Sequence, residues 1–398
     1  MGVHGNLPRE AEYTIWVTDH NLTPISQQVD DASAVHVTLR HNTVSSGEFT
    51  CPAHPELVAA ARTPKARAVV ERDGQILLAG PIESTPSRWE GARHGEHDGG
   101  DLTVRFADDL LLIAGRSSFP NPAQAATAQT VAKWSRTGTP AQIAWDLVNL
   151  NAGPGALPNR RVPRLIMGDL GGIGGTSTTF TTRFQMLTDD LRAVSALAGG
   201  RLGFRTVQVG DQIVFEVYES TDRTGAVWFA RSMGNLLSIE HEPEAPSATV
   251  ALVGGQDAGA NRTIIERGTP GDWWRLEVFV DSAGANNLTE LQQAGDEALA
   301  DAAEVQRLAV VAVDVDGTRY GIDYLLGDIV AVEAVPGMPD VPDIVSAVEF
   351  GWTPDGGETI KPIIGAGSAD MLNPSAAEQQ RILRMLSRRA TGAEIPLT

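Results

Sequence analysis

The chain has 398 residues, 42% of them apolar and 20% charged, enough to bury the cores of two or three globular domains and too ordinary for a disordered, low-complexity polymer. Its 50 acidic and 31 basic residues leave a net charge of −19 with no clustered basic run, which excludes tight binding of duplex DNA through its phosphates. A single cysteine, Cys51, excludes an internal disulfide and a multi-cysteine metal site, the start Met1-Gly-Val-His-Gly-Asn-Leu-Pro8 reads as no signal peptide, and no stretch nears the ~20 apolar residues of a membrane span.

Residues 1–118 read as a β-barrel-like domain. Tyr13–Thr18, Ala34–Leu39 and Ala68–Glu71 carry β-branched and aromatic residues with partial alternation, and Asp73-Gly74 predicts a tight hairpin into Gln75–Ala79. Asp101–Phe106 alternates and Asp108–Ile113 follows it as a further apolar run. Residues 119–200 read as a helical insert. Thr139-Pro140-Ala-Gln142 has the hydroxyl cap, first-turn proline and Gln of a capping box, with Ile143, Leu147 and Leu150 on one face. A second helix is predicted over Arg183–Ala198, and the glycine-rich stretch Gly168–Thr179 between them reads as a flexible loop.

Residues 201–372 read as a second β-barrel-like domain. Its first hairpin is Arg201–Val207 and Gln212–Tyr218 around Gly210-Asp211, followed by strands near Leu236–His241, Thr249–Val253 and Trp274–Val280. An embedded helix over residues 287–306 opens on Asn287-Leu-Thr-Glu290, with Leu288, Leu291, Ala298, Ala302 and Val305 on one side. Val310–Val315, Asp328–Val335, Ile344–Phe350 and Ile360–Ile364 complete the strands, and residues 373–398 form a C-terminal helix and tail carrying Arg381, Arg384, Arg388 and Arg389. The fold class is mainly β with inserted helices (α+β): two small antiparallel barrel-like domains, a helical insert and a short tail.

Templates for chemistry fail one after another. No P-loop lysine exists, and counting from Gly172 and Gly174 the dinucleotide pattern meets Ser177 where its last glycine belongs. His94-Gly-Glu-His97-Asp98 offers ligands, but on a glycine-rich hairpin tip, and Cys51 with His54 lacks a second ligand pair. No Gly-x-Ser-x-Gly elbow occurs, and Cys51 reads as a small buried hydrophobe. The adjacent acids Asp30-Asp31, Asp108-Asp109 and Asp189-Asp190 would point to opposite faces of a strand or to water at a turn. Of Trp273 and Trp274, one is expected in a core and the other at an edge or subunit contact. No catalytic, cofactor-binding or metal residue is assigned, no cofactor is expected, and the chain reads as a non-enzyme.

Several phrases in fixed order carry more. Gly80-Pro81-Ile82, Asn151-Ala-Gly-Pro-Gly-Ala156, Asn159-Arg-Arg-Val-Pro163, Asp222-Arg-Thr224, Gly234-Asn-Leu236, Gly254-Gly-Gln256 and Tyr320-Gly-Ile-Asp-Tyr324 with Leu326-Gly-Asp328 resemble minor tail proteins of siphophages that infect actinobacteria. Only Lys65, Lys133 and Lys361 are lysine among the 31 basic residues, an arginine bias that agrees with a GC-rich genome. The resemblance implies a tail-tip hub, similar in plan to phage baseplate hubs: a homotrimeric ring at the distal end of the virion tail, made in the host cytoplasm. It implies contacts with the distal tail protein, the tape measure protein and tip or fibre proteins, and DNA passing through without specific binding. The alternatives are a distal tail adaptor, which would form a six-fold ring, a receptor-binding adhesin with clustered aromatics, and a cell-wall or polysaccharide hydrolase with two carboxylates roughly 5–10 Å apart in a cleft.

Overall fold

The computed structural model describes residues 11–88, 100–256, 259–285, 287–303, 305–334 and 340–365. The first β region contains β1 (Tyr13–Thr18), β2 (Ala34–Arg40), β3 (Ser46–Pro52), the short helix α1 (Pro55–Ala61), β4 (Arg67–Arg72), β5 (Gln75–Ser84), β6 (Ser87–Arg88) and β7 (Asp101–Ala107). Alternation sets each strand's buried face: in β3, Gly47, Phe49 and Cys51 point inward while Ser46, Glu48 and Thr50 stay half-exposed. The β4–β5 hairpin turns on Asp73 and Gly74, both at positive φ (53° and 77°), the geometry that matches the twist of paired strands.

The insert holds α2 (Leu110–Ala114), β8 (Trp134–Gly138), α3 (Pro140–Asn151), β9 (Leu165–Met167), β10 (Thr178–Thr182), α4 (Leu187–Leu197), β11 (Leu202–Val209) and β12 (Gln212–Glu219). The expected capping box starts α3: Thr139 accepts from the Gln142 amide, and the Gln142 side chain accepts from the Thr139 amide. The rest of the chain adds β13 (Trp228–Phe229), β14 (Leu236–Glu244), β15 (Val250–Gly254), β16 (Ile264–Arg267), β17 (Glu277–Asp281), α5 (Leu288–Asp301), β18 (Val305–Ala312), β19 (Ile329–Val332), β20 (Val341–Thr353) and β21 (Gly357–Ile364).

One 13-stranded sheet joins both β regions, in the order β1-β4-β5-β7-β3-β2-β20-β21-β18-β14, with β6, β13 and β19 pairing off this path. The weld is the antiparallel β2–β20 pair, from Val35↔Trp352 to Arg40↔Ala347. A single core runs through both halves, with Ile15, Val35, Phe49, Val104 and Phe106 from the first and Phe229, Val310, Val345, Phe350 and Ile364 from the last. Each such side chain contributes about 1.5–3 kcal/mol by leaving water. A second core gathers Leu110 and Ile113 of α2, Leu147 of α3, Leu191 of α4, Phe204 of β11 and Phe215 of β12. A third, smaller one packs Leu291 of α5 on Ala251 and Val253 of β15.

Several sequence readings shift here. Asp108–Ile113 gives a short helix instead of continuing the strands. The second helix starts at Leu187 and not at Arg183, because Phe184 sits at φ 54° and Met186 is extended. The embedded helix ends at Asp301, short of residue 306, because Val305 already pairs with Glu244. Its Leu288 is exposed, while Leu291, Ala294 and Leu299 make the apolar face. The strand expected from Trp274 begins at Glu277. The β11–β12 hairpin, grouped by sequence with the second β region, packs on the insert helices, since Phe204, Ile213 and Phe215 face α3 and α4. The expected C-terminal helix over residues 373–398 lies outside the described residues.

Gly80 in β5 lies under the β7–α2 corner, where a Cβ would run into the Ala107 carbonyl and the Asp108 backbone. Gly80→Ala is expected to destabilise the chain by about 1–3 kcal/mol in urea unfolding, whereas Gly74→Ala at the open hairpin tip should cost about 1 kcal/mol through its positive φ alone.

Candidate functional site

The three acid pairs separate as strand and turn geometry dictates. At the β7–α2 corner Asp109 is buried and holds Arg67 bidentately, with its Oδ1 accepting from Nε at 3.0 Å. Burial pushes the Asp109 pKa up and the Arg67 guanidinium pulls against it. Arg67 also donates to Thr18 Oγ1 (3.2 Å) and to Gln208 Oε1 (3.0 Å), so one guanidinium ties β1 and β4 to the β11–β12 hairpin. Asp108 turns the other way and accepts from the Ser45 amide at 3.0 Å. In the first turn of α4, Asp190 points inward and both its oxygens lie within 2.9 Å of the Thr182 hydroxyl, while Asp189 faces Arg192 at 3.5 Å. Burial raises the Asp190 pKa to about 6 against the hydrogen bonds from Ser118 and Thr182. Asp31 Oδ2 lies 2.6 Å from His54 Nε2 at the surface. Five of the six acids therefore work against their own neighbours, while Asp30 lines a cleft beside β1 that Asp31 does not enter.

The other candidates resolve as follows. Cys51 is fully buried, and burial pushes its thiol up to about 12, which keeps it protonated and unreactive at neutral pH. The glycine-rich stretch connects β9 to β10 and opens no helix, so it forms no phosphate cradle; the Gly168 carbonyl accepts from Trp145 Nε1 at 2.9 Å. Neither Trp273 nor Trp274 enters a core: they are 42% and 85% exposed, held outside by the turn in which Trp273 N bonds Pro270 O ahead of the edge strand β17. His94 and His97 lie outside the described residues. Among the described residues no three His, Cys, Asp or Glu gather as metal ligands, and no helix is long and apolar enough to cross a membrane.

Two surface features are not scaffolding of this kind. On the insert, Arg160 stacks on Phe119 with its guanidinium carbon 3.5 Å from the ring centroid, Phe119 meets Phe184 edge-on at 5.6 Å, and Arg183 stands 5.9 Å over Phe184. Arg116 donates to the Arg160 carbonyl, and burial followed by the charge of Arg116 lowers the Arg160 pKa to about 10. Beside β1, a cleft of about 210 Å³ is lined by Glu12, Asp30, Gln28 and Trp352 among others, with no basic residue in its wall. Sequence reading missed both, because each is assembled from separated stretches. Of these residues only Arg160 falls in a phrase that carries the family resemblance, Asn159-Arg-Arg-Val-Pro163.

Residues 13–366 match the family described as Siphovirus ReqiPepy6 Gp37-like protein. No curated protein matches the sequence. Among solved structures, the chain is similar to the 43 kDa tail protein of prophage MuSo2 from Shewanella oneidensis, at a TM-score of 0.54 and 9% identity, covering 89% of this chain and 98% of that one. It is also similar to the tail protein from Neisseria meningitidis MC58, at 0.51 and 13%, covering 89% and 96%. At these identities the likeness is one of fold.

Arg67→Ala strands the buried Asp109 and is expected to cost about 3–5 kcal/mol in denaturant unfolding, whereas the double replacement Arg67→Met with Asp109→Leu should recover most of it. Asp190 is raised in the folded state, so its contribution is fully present below the unfolded carboxyl pKa and is lost as pH rises through about 6. Asp190→Asn should therefore raise the melting temperature at pH 7, by an amount equivalent to about 1–2 kcal/mol, and leave it unchanged or lower at pH 4. Equal effects at both pH values would refute the assignment.

Proposed function

We propose, from the premise that the chain belongs to the Siphovirus ReqiPepy6 Gp37-like protein family, that it is a structural hub subunit at the tip of a siphophage tail. Three copies form a ring around the channel through which DNA leaves, and the ring joins the tail to its tip and receptor-binding proteins. The neighbours in this reading are the distal tail protein, the tape measure protein and tip or fibre proteins of the same virion. The chain is made in the host cytoplasm and resides at the distal end of the particle.

One observation carries the reading: the fold is shared with two phage tail proteins over 89% of this chain and over 98% and 96% of theirs. The chemistry of the interior agrees. Among the described residues its buried carboxylates hold strands and turns together and do not converge on a cleft. The net charge of −19 suits a wall past which phosphates slide without sticking. In this reading the barrel-like β regions form the ring and the helical insert decorates it.

Electron microscopy of the intact virion tests this. The expected result is three copies of this chain in a closed ring at the distal end, with an acidic lumen. A six-fold ring, a position elsewhere in the particle or a basic lumen would overturn the hub role.

A further inference from the structure

A chain with a net charge of −19 repels its own copies at long range, so contact between copies needs a place where the sign reverses. Many of the described arginines cannot provide it, because they already face carboxylates: Arg72 with Glu358, Arg105 with Glu48, Arg136 with Asp146, Arg205 with Glu216, Arg275 with Glu266. Arg116, Arg160 and Arg183 differ. None of the three forms an ion pair among the described residues. Arg160 spends its donors on the Ser117 carbonyl and on Asn151, but the terminal nitrogens of Arg116 and the whole Arg183 guanidinium meet no acceptor among those residues.

The same face holds an aromatic ring outward at a cost. Phe184 is 43% exposed and sits at φ 54°, a conformation that disfavours any bulky side chain. The backbone that holds it is fixed, with Phe184 N donating to Ser118 O at 2.8 Å. Guanidinium groups without a carboxylate partner beside an exposed ring, Phe184, are the composition of an interface core and not of an ordinary solvated surface.

The cleft beside β1 has the opposite chemistry. Glu12 and Asp30 line it, neither carboxylate has a partner among the described residues, and Trp352 supplies an apolar wall. Its volume of about 210 Å³ is enough to take an arginine head or a phenyl ring.

We infer that the arginine–phenylalanine face of one copy, built on Arg116, Arg160, Phe119, Phe184 and Arg183, docks into the Glu12–Asp30–Trp352 cleft of the next copy. The two surfaces lie on different parts of the chain, one on residues 116–184 and the other beside β1 and β20. The contact is therefore heterologous and propagates head to tail until it closes. This deepens the ring reading and rests on it.

The test uses the full chain and two surface variants in analytical ultracentrifugation. R116E/R183E reverses the basic face and leaves Arg160 in place; E12R/D30R reverses the cleft. The wild-type chain should self-associate at about 0.1 M salt and weaken as salt rises. Each variant alone should associate at least about tenfold more weakly while keeping a cooperative thermal transition. An equimolar mixture of the two should regain association, because the intact face of one meets the intact cleft of the other and the two reversed surfaces are again opposite in charge. Phe184→Ala should weaken association without lowering stability.

The outcomes separate the contact from the ring. Wild-type rings that both variants form equally well overturn the contact and leave the ring. Open chains or two-fold dimers that the variants abolish keep the contact and overturn the ring. A wild-type chain that stays monomeric overturns both. A labelled single strand of about 20 nucleotides that binds the wild type and not R116E/R183E, with self-association unaffected, would reassign the face to nucleic acid.

Discussion

The pairing of β2 with β20 decides everything else in this molecule. It brings Val35 opposite Trp352 and Val37 opposite Phe350, and so closes one core from the two ends of the described chain. A second tie lies across the same seam: Tyr13 donates to Glu358 at 2.6 Å, a contact spanning 345 residues, and Arg72 grips the same carboxylate through Nε and Nη2 at 2.6 Å each. The core cannot fill until β20 and β21 arrive, because Val345, Phe350 and Ile364 are part of it. Long loop closure of this kind slows folding and makes the finished sheet cooperative, so damage at either end is felt at both.

On that sheet the insert is positioned by polar joints as well as by apolar contacts through Leu22, Val44 and Ala107. The β2–β3 turn carries Asn42 at φ 55°, whose amide donates to Leu202 O at 3.0 Å and accepts from Phe204 N at 2.9 Å, so one side chain fixes the start of β11. Next to it, His41 Nδ1 lies 2.9 Å from the Tyr218 hydroxyl, and burial lowers the His41 pKa to about 4, which keeps the ring neutral. Arg192 of α4 donates to Asn42 O and Thr43 Oγ1. Arg67 with Asp109 and Gln208 closes the other side. Directional contacts at both flanks set the angle of the insert, which an apolar interface alone would leave free to slide.

Local signals were legible wherever one short stretch contained the whole cause. The Asp73-Gly74 turn and the Thr139 capping box need only their own residues, and each appears where the sequence places it. Boundaries failed where a distant partner decides them. Helix α4 loses its first turn because Phe184 is pulled toward Ser118, and α5 stops early because β14 captures Val305. The β11–β12 hairpin alternates like any strand pair, and nothing in its sequence says that Phe204 and Phe215 meet α3 and α4 instead of β18. The same reason hid the Arg160–Phe119–Phe184–Arg183 stack: its members come from three stretches, and arginine content alone cannot tell a free guanidinium from one facing a carboxylate.

Perturbed acids are often taken as signs of chemistry, and here that inference runs the other way. Asp109, Asp190 and Asp314 are all raised by burial, yet they sit at separate joints. Asp314 accepts from the Tyr324 hydroxyl at 2.6 Å and the Tyr320 amide at 2.8 Å, Asp190 from Thr182, and Asp109 from Arg67. None of them lines the Glu12–Asp30 cleft, and the acids that do line it are exposed. A catalytic pair needs two groups with opposed tasks around one reacting atom. Among the described residues these three acids stand singly, each held at its own joint by a hydroxyl, an amide or a guanidinium.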